Sequence, residues 1–229
     1  MPVKFDVIYE DNHCLAVCKP SRLLTVSDES GDETLLSLVR DYNASRQQPG
    51  KKGFVAPVHM IDRPVSGLVL FAVSSKAASR LSDMFRQRKL EKIYLAVVEG
   101  IPAAKEATLV DWLAKDREAN TTRVVASTAR EAKRCELSYQ VLSTAAGLSL
   151  LLVRPVTGRS HQIRVQLAHA GFRIYGDRRY GSKAEFDGAI ALHAYRLELQ
   201  HPVTKEPMSL RCPPPAAWQR LLPAGVPDV

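Results

Sequence analysis

The stretch Val58 to Phe71, reading VHMIDRPVSGLVLF, constrains the fold more than any other part of the chain. An apolar lead of Val58, Met60 and Ile61 runs into Asp62. Pro64 then fixes its own φ and biases Arg63 away from helix, and Gly67 releases the backbone before the apolar run Leu68 to Phe71. The pattern presents one carboxylate at a strand-to-loop edge. Apolar neighbours lower the dielectric around it, and the adjacent Arg63 favours its ionised form. An ionised carboxylate held in place acts as a nucleophile or a base. An Asp beside Pro and Gly also serves to brace a turn, and these residues alone leave both roles open.

Around this stretch the periodicity predicts a mixed α+β chain built on an antiparallel sheet. Phe5 to Tyr9 and Cys14 to Cys18, separated by Glu10-Asp11-Asn12-His13, read as a hairpin that Lys19-Pro20 ends. Thr34 to Asp41 reads as a helix, and Asn43 to Gly53 as a polar loop that serves as a connector or a phosphate-contacting flap. A second helix spans Ser75 to Leu90, with Arg88-Lys89 in its last turn, and Lys92 to Glu99 alternates as a strand. Ala103 to Arg130 reads as an excursion of short strands and loops. Lys133 to Leu142 and Leu148 to Val156 form an antiparallel pair joined through Ser143 to Gly147. Ser160 is the expected N-cap of a helix running to Ala170, with Gly171 as its C′ residue. A hairpin around His201-Pro202 and a terminal helix holding Trp218 close the chain. With no internal repeat or linker, the expectation is one domain over residues 1–229.

A length of 229 residues permits a core burying roughly 70–75% of the unfolded surface, and a formal charge of +8 favours an anionic partner. Cys14, Cys18, Cys135 and Cys212 lack the paired spacing of a zinc site, and Cys14 and Cys18 read as small core residues on one strand face. His161 and His169 have no neighbouring carboxylate to complete a metal set, so no metal is expected. No window approaches the ~18 apolar residues of a membrane span, so the expected setting is the cytoplasm, with reduced thiols.

Three segments then occur in a particular order. HMIDRPVSG around Asp62 resembles the H-R-L-D-x-x-T-S-G signature of the RluA-type pseudouridine synthases. KIYLAVVEG at Lys92 to Gly100 is similar to their second motif, and TGRSHQIRVQLAHAGFRIYGDRRYG at Thr157 to Gly181 to their third. The resemblance implies a pseudouridine synthase core, a mixed, mainly antiparallel central sheet with flanking helices and an RNA-binding cleft. Many members carry a small RNA-binding domain before the core, and here the first motif begins too early for one, so none is expected. It implies isomerisation of a uridine in ribosomal or transfer RNA, with no cofactor and RNA as partner, by a protein expected to act as a monomer. Asp62 takes the role of nucleophile at the sugar or base at C2′, Tyr94 lies against the target base, and Arg164 meets the catalytic Asp, with Arg159 as second choice.

Met60, Arg63, Arg159, His161, Arg178 and Arg179 form the expected RNA-binding set. Two positions depart from the family pattern: Met60 stands where Arg is usual and Val65 where Thr is usual. Met is apolar and flexible enough to wedge into a base stack, and Arg63 compensates for the lost charge. The alternative reading is a catalytically silent RNA-binding relative of the same fold. A hydrolase acting on a glycosidic bond would need a second carboxylate that the motifs lack.

Overall fold

Asp11 turns the chain at its start, its Oδ1 accepting from the backbone N–H of His13 (2.8 Å) and Cys14 (2.6 Å). That turn joins β1 (Asp6–Glu10) to β2 (Cys14–Lys19) as an antiparallel pair, the hairpin that the two apolar runs predict. The computed structural model describes residues 5–46, 53–116 and 118–221. The chain divides into two compact units, Met1–Lys92 with His193–Pro214, and Ile93–Leu192 with Pro215–Val229.

In the first unit, helix α1 (Leu35–Ser45) starts at Thr34, whose side chain and that of Ser37 form a reciprocal capping box. The buried face includes Val39 and Asn43, so the helix runs on through residues that hydropathy assigns to a polar loop. Residues 47–52 of the expected flap lie outside the described residues. The short strand β3 (Ala56–Pro57) and β2 both pair antiparallel with β4 (Ser66–Ala72), every residue of which is buried. A continuous apolar run is what a strand covered on both faces requires.

Helix α2 (Ser75–Arg86) is capped by Ser74 and ends earlier than its periodicity predicts. Arg88 takes a left-handed conformation (φ 56°) and the Lys89 N–H returns to the Met84 carbonyl at 2.9 Å, so Arg88 and Lys89 lie past the last turn. The core of this unit gathers Cys14, Ala16, Leu68, Leu70, Ala77 and Leu81. Cys18 is bonded to Cys212, which overturns the expectation of four reduced thiols. Partners 194 positions apart in sequence cannot be read from spacing.

The second unit contains most of β5 (Glu91–Glu99), together with β6 (Glu106–Asp116), β7 (Thr121–Val124), β8 (Lys133–Ala145) and β9 (Leu148–Pro155). They are joined antiparallel in the order β5-β9-β8-β6-β7. The expected excursion between Ala103 and Arg130 is therefore a regular part of the sheet. Its period is hidden because β6 inverts polarity: Val110 is exposed, while Asp111 turns inward to accept from Gln166 Nε2 at 2.8 Å. The β8–β9 turn narrows to Ala146 and Gly147, both at positive φ (50° and 76°).

Helix α3 (Gln162–His169) begins after His161, not Ser160. No side chain caps its first turn; the Gln162 carboxamide oxygen instead ties the preceding segment to the helix, accepting from Thr157 Oγ1 (2.7 Å) and the Arg159 N–H (3.0 Å). The first unit also contains most of β10 (Leu192–Gln200), which pairs parallel with β4 and antiparallel with β11 (Pro207–Arg211). A 3-10 turn over Ala216–Arg220 buries Trp218. The fold is α+β, a mixed and mainly antiparallel sheet flanked by helices. Among the described residues no helix is long and apolar enough to cross a membrane.

Candidate active site

Asp62 sits half-buried between β3 and β4, in a turn closed by the Val65 N–H on the Asp62 carbonyl at 3.0 Å. The turn is tied down from both sides. Thr25 Oγ1 donates to the Ile61 carbonyl (2.8 Å), and the Arg22 N–H donates to the Arg63 carbonyl (2.7 Å). Beneath it lies Lys19, fully buried, whose ammonium donates to the carbonyls of Pro20 (2.9 Å), Leu23 (2.7 Å) and Arg63 (3.2 Å). Burial pushes the Lys19 amine down to about 7, and the negative charge of Asp62 opposes that shift. Sequence reasoning misses Lys19, because a Lys beside Pro at a strand end is ordinarily exposed.

Arg63 projects outward. Its Nη1 pairs with Asp32 Oδ2 at 2.7 Å and its Nε donates to the Arg22 carbonyl at 3.1 Å, so the cation next to Asp62 in sequence is engaged with Asp32. Met60 is 63% exposed and presents its thioether to solvent. His59 instead turns inward: its Nε2 accepts from the Leu70 N–H (2.9 Å) and its ring stacks on Phe85 at 4.8 Å. Desolvation pushes its imidazole down to about 4, so it is neutral and structural.

Tyr94 lies in the second unit, half-buried on β5 opposite Val153 of β9. From Leu95 to Val98 the strand is buried on both faces, which makes it a rigid platform for that ring.

Arg164, on α3, is also buried. Its Nε and Nη2 donate to the two carboxylate oxygens of Asp177 at 2.7 and 2.9 Å, and its guanidinium carbon lies 5.0 Å from the centre of the Tyr180 ring. The Tyr180 hydroxyl accepts from the Thr122 N–H (3.0 Å) and shares a hydrogen bond with His161 Nδ1 (2.7 Å). The structure thus brings His161, Arg164, Asp177 and Tyr180 into one cluster. His161 holds a left-handed backbone (φ 53°), which is unfavourable for a residue with a β-carbon. Asp177 and Tyr180 are legible as loop residues, but nothing local marks Asp177 as the partner of an Arg on the preceding helix.

Arg159, Arg178 and Arg179 are exposed, as their loop positions predict. Arg178 pairs with Glu185 at 2.9 Å, Arg179 Nη1 donates to the Asn120 carbonyl at 2.8 Å, and Arg159 Nε reaches the Arg134 carbonyl at 3.4 Å. Such rim contacts are weak enough to exchange for phosphates.

Asp11, Cys14 and His201 place their donor atoms within 4.8 Å of one another, a spacing that a metal could use. The hydrogen bonding points elsewhere. His201 Nδ1 accepts from the Thr204 N–H at 2.9 Å, so Nε2 carries the ring proton and faces Asp11 Oδ2 at 2.9 Å. Burial raises the Cys14 thiol to about 12. A protonated imidazole edge and a neutral thiol make a braced corner.

A family model described as RNA pseudouridylate synthase matches residues 13–169. The tRNA pseudouridine synthase C of Vibrio parahaemolyticus is 31% identical over 242 residues, covering 96% of this chain and 94% of that protein. The dual-specificity RNA pseudouridine synthase RluA of Escherichia coli K12 is 31% identical over 218 residues, covering 90% and 92%. Among solved structures, human RNA pseudouridylate synthase domain containing 1 superposes with a TM-score of 0.74 at 26% identity, over 93% of this chain and 84% of that one.

Proposed function

This chain belongs to the RNA pseudouridylate synthase family, and on that premise we propose that it isomerises one specific uridine of ribosomal or transfer RNA, with Asp62, Tyr94 and Arg164 as its catalytic residues. In the reaction the N1–C1′ bond breaks, the uracil turns over, C5 bonds to C1′, and the proton lost from C5 is balanced by one gained at N1. Substrate and product are isomers, so no oxidant, reductant or second substrate is consumed.

Asp62 acts as nucleophile at the sugar or as base at C2′. Arg164 supplies a positive charge to the reaction, the role that its place in the third motif implies. Tyr94 supports the base and assists removal of the C5 proton, for which a phenol of ordinary pKa near 10 needs activation. The uridine must first leave its stack, at a cost of a few kcal/mol that is smallest in a loop or bulge. Met60 offers an exposed apolar tip to fill the space left behind. Arg63, Arg159, His161, Arg178 and Arg179 serve the phosphates. The protein would work as a monomer in the cytoplasm.

The anchored turn carries this reading: Asp62 stands within the matched residues, in a turn whose backbone is held by Thr25, Arg22 and Lys19. The test is to incubate the purified protein, and Asp62→Ala, with RNA from a strain lacking it and to map the pseudouridines. New pseudouridine at a discrete position with wild type and none with Asp62→Ala is the expected result. Full activity of Asp62→Ala would remove Asp62 from the site, and RNA binding without modification by wild type would leave a silent binder.

A further inference from the structure

Arg164 is held by more than a catalytic role alone would require. A buried ion pair is a poor device for stability, because well-packed apolar residues of similar volume do as well or better. What a bidentate pair does supply is orientation. Asp177 occupies the side-on edge of the guanidinium, Nε and Nη2, while the guanidinium carbon stands 5.0 Å from the centre of the Tyr180 ring. Two bonds along one edge set the plane of the guanidinium to that of the carboxylate, and the Nη1 side of its tip faces away from Asp177.

Asp177 is itself set rigidly. Its N–H donates to the Ile174 carbonyl (2.9 Å), and its own carbonyl accepts from Tyr180 (3.0 Å) and Ser182 (3.1 Å). Gly176 before it, at φ 83°, could not carry a β-carbon without coming 2.7 Å from Phe186 Cβ and 2.9 Å from the Ala189 carbonyl oxygen. The loop around Asp177 therefore cannot drift, and neither can the edge of Arg164 that it grips.

We propose that Asp177 is a positioning residue for the isomerisation: by gripping one edge of Arg164 it fixes the guanidinium in the single orientation in which Arg164 serves the reaction. This rests on the roles proposed above for Asp62 and Arg164. Misplacement by about 1 Å at such a group costs up to ~100-fold in rate.

The experiment measures kcat and KM for Asp177→Glu, Asp177→Asn, Arg164→Lys and the double variant Arg164→Lys/Asp177→Asn on the RNA identified by mapping, with folding followed by circular dichroism. Asp177→Glu keeps the charge and displaces the guanidinium by one methylene, so it should fold and lose about tenfold or more in kcat at unchanged KM. Asp177→Asn should lose more, and the double variant should be no slower than Arg164→Lys alone, since both changes act through one group. Wild-type kcat in a folded Asp177→Glu, additive losses in the double variant, or recovery of both Asp177 variants only as unfolded chain would each overturn the proposal. Asp62→Ala run in parallel separates the two readings. If it is active, the assignment of Asp62 fails. If it is inactive while the Asp177 variants turn over normally, only the role of Asp177 fails.

Discussion

A β-carbon on Gly67 would lie 2.3 Å from the carbonyl oxygen of Ala194 and 2.5 Å from its nitrogen, at a backbone φ of 119°. The parallel register of β4 and β10 sets this approach, pairing Gly67 with Ala194 and Ser66 with His193. The atoms in the way belong to the backbone of a neighbouring strand, so no side chain can yield. Gly67→Ala should destabilise the protein by on the order of 4 kcal/mol. Urea denaturation followed by circular dichroism measures this, and an unchanged midpoint would mean that the strands are less closely apposed than described.

His193, next in the same register, should make stability acid-sensitive. It is fully buried, accepting from Ser66 Oγ at Nδ1 (2.8 Å) and donating from Nε2 to the Cys212 carbonyl (2.9 Å), and burial pushes its pKa down to about 4. The unfolded chain binds a proton near 6.5 that the folded one refuses, so the contribution is complete above 6.5 and is lost as pH falls through about 4. His59 titrates over the same window. Comparing the pH dependence of unfolding in wild type and His193→Gln isolates the His193 share, and identical acid limbs would contradict it.

Lys19 predicts a trend at the other end of the scale. Its folded pKa of about 7 lies below the ordinary 10.5, so the cost of burying the charged amine is felt in full below about pH 7 and fades as pH rises to 10.5. The stability of wild type relative to Lys19→Met should therefore increase across that interval. A difference that is flat with pH would show that the amine is not held in the buried position beneath the Asp62 turn.

Tyr94→Phe removes a hydroxyl and keeps the ring. If the phenol takes part in proton removal, kcat should fall by about 100-fold or more while RNA affinity stays near wild type. Gel-shift binding and single-turnover kinetics separate the two quantities, and a proportionate loss of both would make Tyr94 a binding residue.

Much of the scaffold can be read from short spans of sequence. The β1–β2 hairpin, the β8–β9 pair, the Gly171 terminus of α3 and the exposure of Arg178 and Arg179 each follow from turn chemistry or periodicity within a dozen residues. β6 escapes such a reading because Val110 faces out and Asp111 faces in, against the usual polarity. The start of α3 escapes it because no side chain caps the helix: Gln162 ties down the segment before it, and His161 takes a left-handed backbone.

By itself the sequence determined the order of the elements, the three motifs and thereby the family. It did not determine where the charges go. That Lys19 is enclosed by three carbonyls, that Arg164 is locked to Asp177, and that Cys18 meets Cys212 were decided by the tertiary structure. Backbone preferences act between neighbours along the chain, whereas the partner of a buried charge or thiol is whatever the fold carries up to it.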